Sequence, residues 1–570
     1  MRLKNLFGMA AMLALAASCS ENALVQGGDT GASETGTSYA AFNIVLPTTN
    51  GTRADGAPTY EDGTTEEYKV NNGTILIFQK TGTEYTFIEK ATLDNGSWTA
   101  SSEAGITTYS KVTAQLKSVS SSASSDYYAI VLLNNATAVS MPTSGKYSTW
   151  NNTAQTKTVK ELIGEDKNNF LMTNAALNDA DNPFGTLVKI DKRKIYNTED
   201  AAKNGDAAAT IHVQRAVAKV TAKVGTGTGI SGNTVNVKGS TTDAVEFNKW
   251  VLDVTNKKTF PVQNITGLAD AVWGYRYDGT NYTVGAQNRL FWAIDPNYNN
   301  GDLNLLIPPG PTERGNNFNI ITSFPSTSNN MGDNDYCLEN TFDLTNQKQG
   351  QTTRVVFKAT YKVGGTAATF FKVGNNSEIL NATTLTNKIQ GVAQTIFNAT
   401  DATGTITINL GAIATTASSN NQITVSNILV NGTALDEGTT YGSGTNAKTG
   451  TEIVKAVKDN LGLTTDAGIS TYLDGINYYI VRIKHFGDTY TPWVSGNVAY
   501  GPDTNNNKWL GRYGVLRNNW YVLQINSVSG PGYPTIPPVK PNTPDDESEK
   551  YISCTIKILD WAKRTQDVNL

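Results

Sequence analysis

The chain has 570 residues, of which 17% are charged, and a net charge of −4. That length allows two or three domains, and without a basic surplus there is no electrostatic footprint for nucleic acid. Two histidines far apart, His212 and His485, leave almost no room for a His-rich metal site or a His-dependent triad, and three cysteines are too few for a disulfide-stapled scaffold.

Arg2 and Lys4 precede an apolar run, Leu6 to Ala17, which falls far short of the ~20 residues that span a bilayer, and small residues lead on to Cys19. This is a secretory signal, residues 1–18. The string Leu15-Ala-Ala-Ser-Cys19 resembles the lipobox of bacterial lipoproteins, although Ala16 stands where Leu is usual. It marks the Cys19 thiol as a lipidation site, holding the mature chain on a membrane without spanning it. The alternative is an ordinary signal peptide that happens to contain a Cys.

After a Gly/Ser/Thr-rich tether, Glu21 to Ser38, the segment Tyr39 to Leu46 reads as a strand, with Phe42, Ile44 and Leu46 on one face. It stops at Pro47. The polar loop Thr48 to Pro58 holds a single Arg53 among small turn-forming residues, the type of loop that proteases cut, although a plain surface arginine would look the same. Further strands are expected over Thr74–Phe78 and Tyr127–Leu133, and a helical turn over Val159–Ile163. A polar connection, Asn178 to Asp206, leads to a domain boundary near its end. Arg215 to Val224 then sets small Ala216, Ala218, Val220, Ala222 and Val224 against Arg215, Lys219 and Lys223. Strand signals follow at Lys249–Val254, Arg289–Ile294, Arg354–Tyr361, Tyr478–Ile483 and Trp520–Ile525, with one amphipathic helix over Thr451–Leu461.

The stretch Gly530 to Lys550 carries Pro531, Pro534, Pro537, Pro538, Pro541 and Pro544, which disfavour helix and ladder and predict an extended, exposed tether. Beyond it, Tyr551 to Leu559 alternates again, with Ile552, Cys554, Ile556 and Ile558 on one face. Such a strand needs an apolar groove, either in its own domain or in a neighbouring molecule. Many short strands between Gly/Asn/Pro turns give an all-β fold of β-sandwiches with minor short helices.

Several strings, taken in order, resemble the fimbrillins of Bacteroidales type V pili, closest to the minor, Mfa-type, fimbrillin family. They are the lipobox at Cys19, Asn72 to Phe78, Val131-Leu-Leu-Asn-Asn135 with Phe170-Leu-Met-Thr-Asn174, Gln214 to Val220, Trp250 to Asn256 and Phe291 to Tyr298. Tyr336 to Thr341, Tyr478-Tyr479 with Ile483-Lys-His-Phe486, Tyr513 to Tyr521 and Trp561 complete the series. The resemblance implies two transthyretin-like β-sandwich domains, over residues 54–209 and 210–529, then a Pro-rich hinge at 530–550 and a donor strand in 551–570. It also implies an outer-membrane lipoprotein precursor whose propeptide, 19–53, is removed by an Arg-specific protease cutting between Arg53 and Ala54. Loss of the strand bearing Phe42, Ile44 and Leu46 would open a groove, and the strand bearing Ile552, Cys554, Ile556 and Ile558 of another subunit would fill it. The partners implied are other copies of the chain, other pilus subunits and the protease, in a fimbrium that supports adhesion and biofilm formation.

Asn178 to Asn182, Asp295 to Asp302 and Asn329 to Asp335 offer oxygen donors for Ca²⁺, but without the fixed spacing and terminal Glu of an EF-hand they read as Asx-rich turns. Trp292 with Tyr298, and Trp520 with Tyr521, could stack on sugars or pack in a core. Cys337 and Cys554 could pair or serve as small buried hydrophobes. No catalytic constellation and no cofactor motif stands out, so an enzyme is not expected. A shaft subunit that both accepts and donates a strand fits best; a pilus tip or surface adhesin, and a carbohydrate-processing surface lipoprotein, are the alternatives.

Overall fold

The computed structural model describes residues 37–47, 63–94, 99–100, 106–178, 185–266, 268, 283–284, 287–289, 292–298, 315–343, 346–486, 491, 510–539, 543–545, 553–559 and 563–569. The first domain is built from β1 (Ser38–Pro47), α1 (Thr65–Tyr68), β2 (Gly73–Thr81), β3 (Glu84–Thr92), β4 (Ile106–Leu116), β5 (Tyr127–Leu133), β6 (Met172–Asn174) and β7 (Ala209–Arg215). The strands pair in the order β3-β2-β5-β6-β7-β1-β4. Leu93, next after β3, bridges to Ala114 of β4, so the sheet folds back on itself around one core. All seven residues of β5 are buried, which is why its apolar run is continuous.

The second domain follows from β8 (Val217–Val224), β9 (Ala244–Asp253), β10 (Asn334–Leu338) and β11 (Arg354–Val363). It continues with β12 (Phe370–Val373), α2 (Ala382–Asn398), α3 (Gly450–Asn460), β13 (Ile469–Tyr472), β14 (Ile476–Arg482) and β15 (Trp520–Ser527). Two terminal strands, β16 (Ser553–Leu559) and β17 (Lys563–Asn569), end it. One sheet runs β10-β8-β15-β17-β16, and β9-β11-β14 form the heart of the other. Trp250, Phe247, Phe357, Tyr479 and Leu523 fill the space between them. The fold is thus mostly β, with sandwich-like sheets, as expected. The chain stays in the first sheet as far as Arg215, so Thr210–Arg215, which the resemblance assigns to the start of the second domain, continue a strand of the first.

Residues 374–468 form an additional module between paired strands, since Val373 of β12 lies opposite Ile469 of β13. It has its own core. Leu385, Ile389, Ala393 and Phe397, four apart along α2, meet Ile453 and Val457 of α3. Both helices open with a capping box, Asn381 with Thr384 and Thr449 with Glu452. The second matches the expected helix; α2 has no counterpart among the elements expected from sequence.

Two of the three charges of 215–224, Arg215 and Lys219, are withdrawn from solvent, while Lys223 is half-buried. Ala218, Val220 and Ala222 enter the second core, whereas Val217, Tyr336 and Leu338 join the first. Arg215 and Lys219 are therefore buried between the domains, at 3% and 1% exposure. Their partner is Glu67 on α1. Lys219 Nζ lies 2.7 Å from its Oε1, the Tyr336 hydroxyl donates to the same oxygen, and Arg215 Nε donates to the Glu67 main-chain carbonyl at 2.7 Å. Burial pushes the Glu67 carboxyl up, but the Lys219 charge and the hydrogen bonds from Lys219 and Tyr336 outweigh it, and the net shift is downward.

Replacing Glu67 by Gln leaves Lys219 buried without its counter-charge and is expected to reduce stability by about 3–5 kcal/mol in urea denaturation. Because the folded-state value of Glu67 lies below the ordinary one near ~4.3, its contribution is full above that pH and lost as pH falls through the lower folded value. Stability measured across that acid range should fall less steeply in Glu67→Gln than in the parent chain.

Candidate strand-exchange site

β1 is a middle strand. It pairs antiparallel with β4, from Ser38 opposite Leu116 to Leu46 opposite Thr108, and parallel with β7, from Phe42 opposite Ala209 to Val45 opposite His212. The two-residue period sends Ala40, Phe42, Ile44 and Leu46 inward, all at 1% exposure or less. Polar contacts fix the register. Ser38 Oγ donates to Val119 O at 3.1 Å, Gln115 Nε2 to the Tyr39 hydroxyl at 3.1 Å, and Ala208 N to Ala41 O at 2.7 Å. Phe42, Ile44 and Leu46, marked in the sequence as a displaceable strand, thus meet in one core. Burying the three contributes about 5–9 kcal/mol at ~1.5–3 kcal/mol each.

Of the other residues singled out in the sequence, Cys19, Arg53, Ala54 and Ile552 lie outside the described residues. Cys554, Ile556 and Ile558 occupy alternate positions of β16, opposite Val568, Gln566 and Arg564 of β17. The terminal strand does not lie directly on the sandwich. β17, a strand with no apolar alternation to announce it, stands between β16 and β15 and runs parallel to β15, from Trp520 opposite Lys563 to Ser527 opposite Asn569. Both ends of the chain therefore share one arrangement, a strand antiparallel to one neighbour and parallel to the other. Nor is the Pro-rich stretch a free leash from Gly530 onward. Tyr533 of that stretch exchanges two main-chain hydrogen bonds with Tyr478 of β14, at 2.8 and 2.7 Å.

Cys337 is buried and free, and burial pushes its thiol well up. Its strand, β10, lies four positions from β16 in the sheet, or about 19 Å at ~4.8 Å per strand. That is beyond the ~7 Å Cα limit of a disulfide to Cys554. Trp292 is buried against His485 and Phe486, Tyr298 and Tyr521 are buried too, and Trp520 Nε1 donates to Thr221 Oγ1 at 2.7 Å; these aromatics pack rather than present a platform. In the Asx-rich loops, both Asp295 oxygens accept main-chain N–H groups, of Asn297 at 2.5 Å and Thr341 at 2.6 Å, while Asp333 and Asp335 accept from the Asn330 and Asn329 amides. Among the described residues no cluster of three or more His, Cys, Asp or Glu could hold a metal ion. Sequence reasoning missed the seam formed by Glu67, Lys219 and Tyr336. Thr64 and Glu67 do carry the spacing of a capping box, and Thr64 N donates to Glu67 Oε2 at 2.8 Å, but that spacing signals only a helix start.

Residues 470–567 match the C-terminal fimbrillin family, described as the major fimbrial subunit protein type IV. The fimbrillin match takes in β14, β15 and the terminal hairpin as far as Asp567. No curated protein matches the chain. Among solved structures, a fimbrial assembly protein from Parabacteroides distasonis is 12% identical, with 57% of this chain and 82% of that one covered at a TM-score of 0.28. A protein of the same organism named for cell adhesion is 12% identical, with 93% and 98% covered at 0.31. One from Bacteroides eggerthii, also named for cell adhesion, is 15% identical, with 60% and 79% covered at 0.23. TM-scores of this size do not fix the fold.

Phe42→Ala should lower the stability of the intact chain by about 3–5 kcal/mol, read by denaturant melts. Asn43→Ala, whose side chain makes only a 3.4 Å contact to Thr210 Oγ1, should leave it within about 0.5 kcal/mol.

Proposed function

We propose that this chain is a pilus subunit that polymerises by exchanging strands, accepting one in the groove between β4 and β7 and donating one from its C-terminus. The observation that carries this reading is the position of β1. It is a middle strand paired on both sides, with its inward face fully buried, and it is joined to the following elements only through residues 48–62. A cut between Arg53 and Ala54 turns it into a non-covalently held plug. Its burial, about 5–9 kcal/mol by the bookkeeping above, is comparable with the ~5–15 kcal/mol total stability of a domain. Cleavage alone therefore leaves the plug in place, and an incoming strand must displace it.

The fimbrillin match over 470–567 supports a fimbrial role, and it covers the donor end of the molecule. Main-chain pairing supplies direction and affinity, and side-chain pockets set the register. Ile552, Cys554, Ile556 and Ile558 repeat the spacing of Ala40, Phe42, Ile44 and Leu46, four apolar positions two apart. Because the donating and accepting surfaces differ, the contact is head to tail and builds an open filament. A chain with both surfaces suits a shaft. Lipid on Cys19 would hold the precursor at the outer membrane until the protease releases it, and the assembled fimbrium would serve cell adhesion.

Treatment with an Arg-specific protease is expected to convert monomer into SDS-resistant ladders. Arg53→Ala and deletion after Lys550 should each abolish them. Ladders that persist in both variants would sink the mechanism.

A further inference from the structure

The C-terminal strand was expected to swing on the whole Pro-rich stretch, 530–550. The described residues of that stretch are instead fastened at successive points. The Tyr479 hydroxyl donates to Gly530 O at 2.9 Å, the Tyr472 hydroxyl to Gly532 O at 2.8 Å, and Gly532 N to Asn477 Oδ1 at 2.9 Å. Arg354 Nε is ion-paired to Asp253 Oδ2 at 2.7 Å, and its second nitrogen donates to Pro537 O at 2.9 Å. Gln349 N donates to Thr543 O at 2.9 Å, and Lys348 bridges to Pro544. The last described residue of the stretch, Asp545, is 4% exposed. Its carboxylate accepts from the Thr352 hydroxyl and lies 3.5 Å from Arg482 Nε, while its N–H donates to Gln347 O at 3.3 Å.

We propose that Asp545 stays fixed as a pivot during strand donation, so that the arm handed to the next subunit begins no earlier than residue 546. This rests on the strand-exchange reading above. Among the described residues, the ladder between β15 and β17 is what ties the arm to the sheet. Releasing the strap before Asp545 would also break the paired main-chain bonds of Tyr533 with Tyr478, take the Pro537 carbonyl from buried Arg354, and separate the buried Asp545 carboxylate from the Thr352 hydroxyl and Arg482, and buried polar groups that lose hydrogen bonds are costly. The pivot sets a distance. From Asp545 to Ser553 the chain spans at most about 29 Å at ~3.6 Å per residue, against about 83 Å if everything from Gly530 were free. The acceptor groove of the next copy must therefore open within about 29 Å of the Asp545 staple. Asp545 acts as a positioning residue, through the length of chain it leaves free.

Hydrogen exchange on the full chain, before and after assembly by an Arg-specific protease, tests this without a mutation. The Gly532, Tyr533 and Asp545 amides are expected to stay protected in the assembled form, and loss of their protection on assembly would overturn the pivot. Deleting 546–550 leaves about 11 Å of reach and should reduce ladder formation to background while the monomer melts unchanged. Ladders at the parent rate from that variant would also overturn it. Ladders from a chain deleted after Lys550 would instead refute strand donation itself, which separates the two failures.

Discussion

The first domain depends on a strand that belongs to it by pairing more than by connection. β1 satisfies the main-chain groups of both β4 and β7, and Phe42, Ile44 and Leu46 fill the centre of the core those strands enclose. Without it, β4 and β7 would present unpaired edges over an apolar trough, the condition under which a sheet pairs with another chain. With it, the sheet runs unbroken from β3 to β4. Both states follow from the same ladders.

The two domains meet through buried charge set beside apolar packing, since Val217, Tyr336 and Leu338 join the first core. Glu67, on the first helix after the 48–62 segment, touches Lys219 and Tyr336 on neighbouring strands of the second domain. Lys219 Nζ also lies 3.9 Å from the centre of the Trp520 ring, on the strand that carries the terminal hairpin. Such a cluster adds little stability compared with apolar packing of the same volume, but its geometry admits few alternatives. It holds the first domain and the strand that carries the terminal hairpin in a single orientation.

Much of this architecture is legible in the sequence because strand alternation survives wherever one face is buried. Tyr39–Leu46, Thr74–Phe78, Tyr127–Leu133, Arg354–Tyr361 and Trp520–Ile525 all fall within observed strands. Other elements are hidden for physical reasons. α2 is rich in Thr and contains Gly391, so its local propensity is poor, and only the four-residue spacing of Leu385, Ile389, Ala393 and Phe397 betrays it. β17, Lys-Arg-Thr-Gln-Asp-Val-Asn, is polar except for Val568 and is defined by its pairing partners. The burial of Lys219 cannot be read locally, since its counter-charge lies 152 positions earlier, at Glu67. At the candidate site, the inward face of β1 was readable but its neighbours were not, because nothing in a strand's own residues says which strands flank it. The strap up to Asp545 was misread for a related reason. Proline excludes regular ladders, but it leaves carbonyls such as that of Pro537 free to accept a hydrogen bond from a buried arginine.

The parallel pairing of β1 with β7 joins residues 167 apart, as in Asn43 and Thr210. An N-terminal strand placed in this way is made first and seated last, because β7 must exist before its second ladder can form. Loop closure over that length is entropically costly and slow to find, so the domain must hold an incomplete core while the chain emerges. Until β7 is made, β1 can pair with β4 but has an open edge on its other side, and that edge is closed by one of the last strands of the domain to be made.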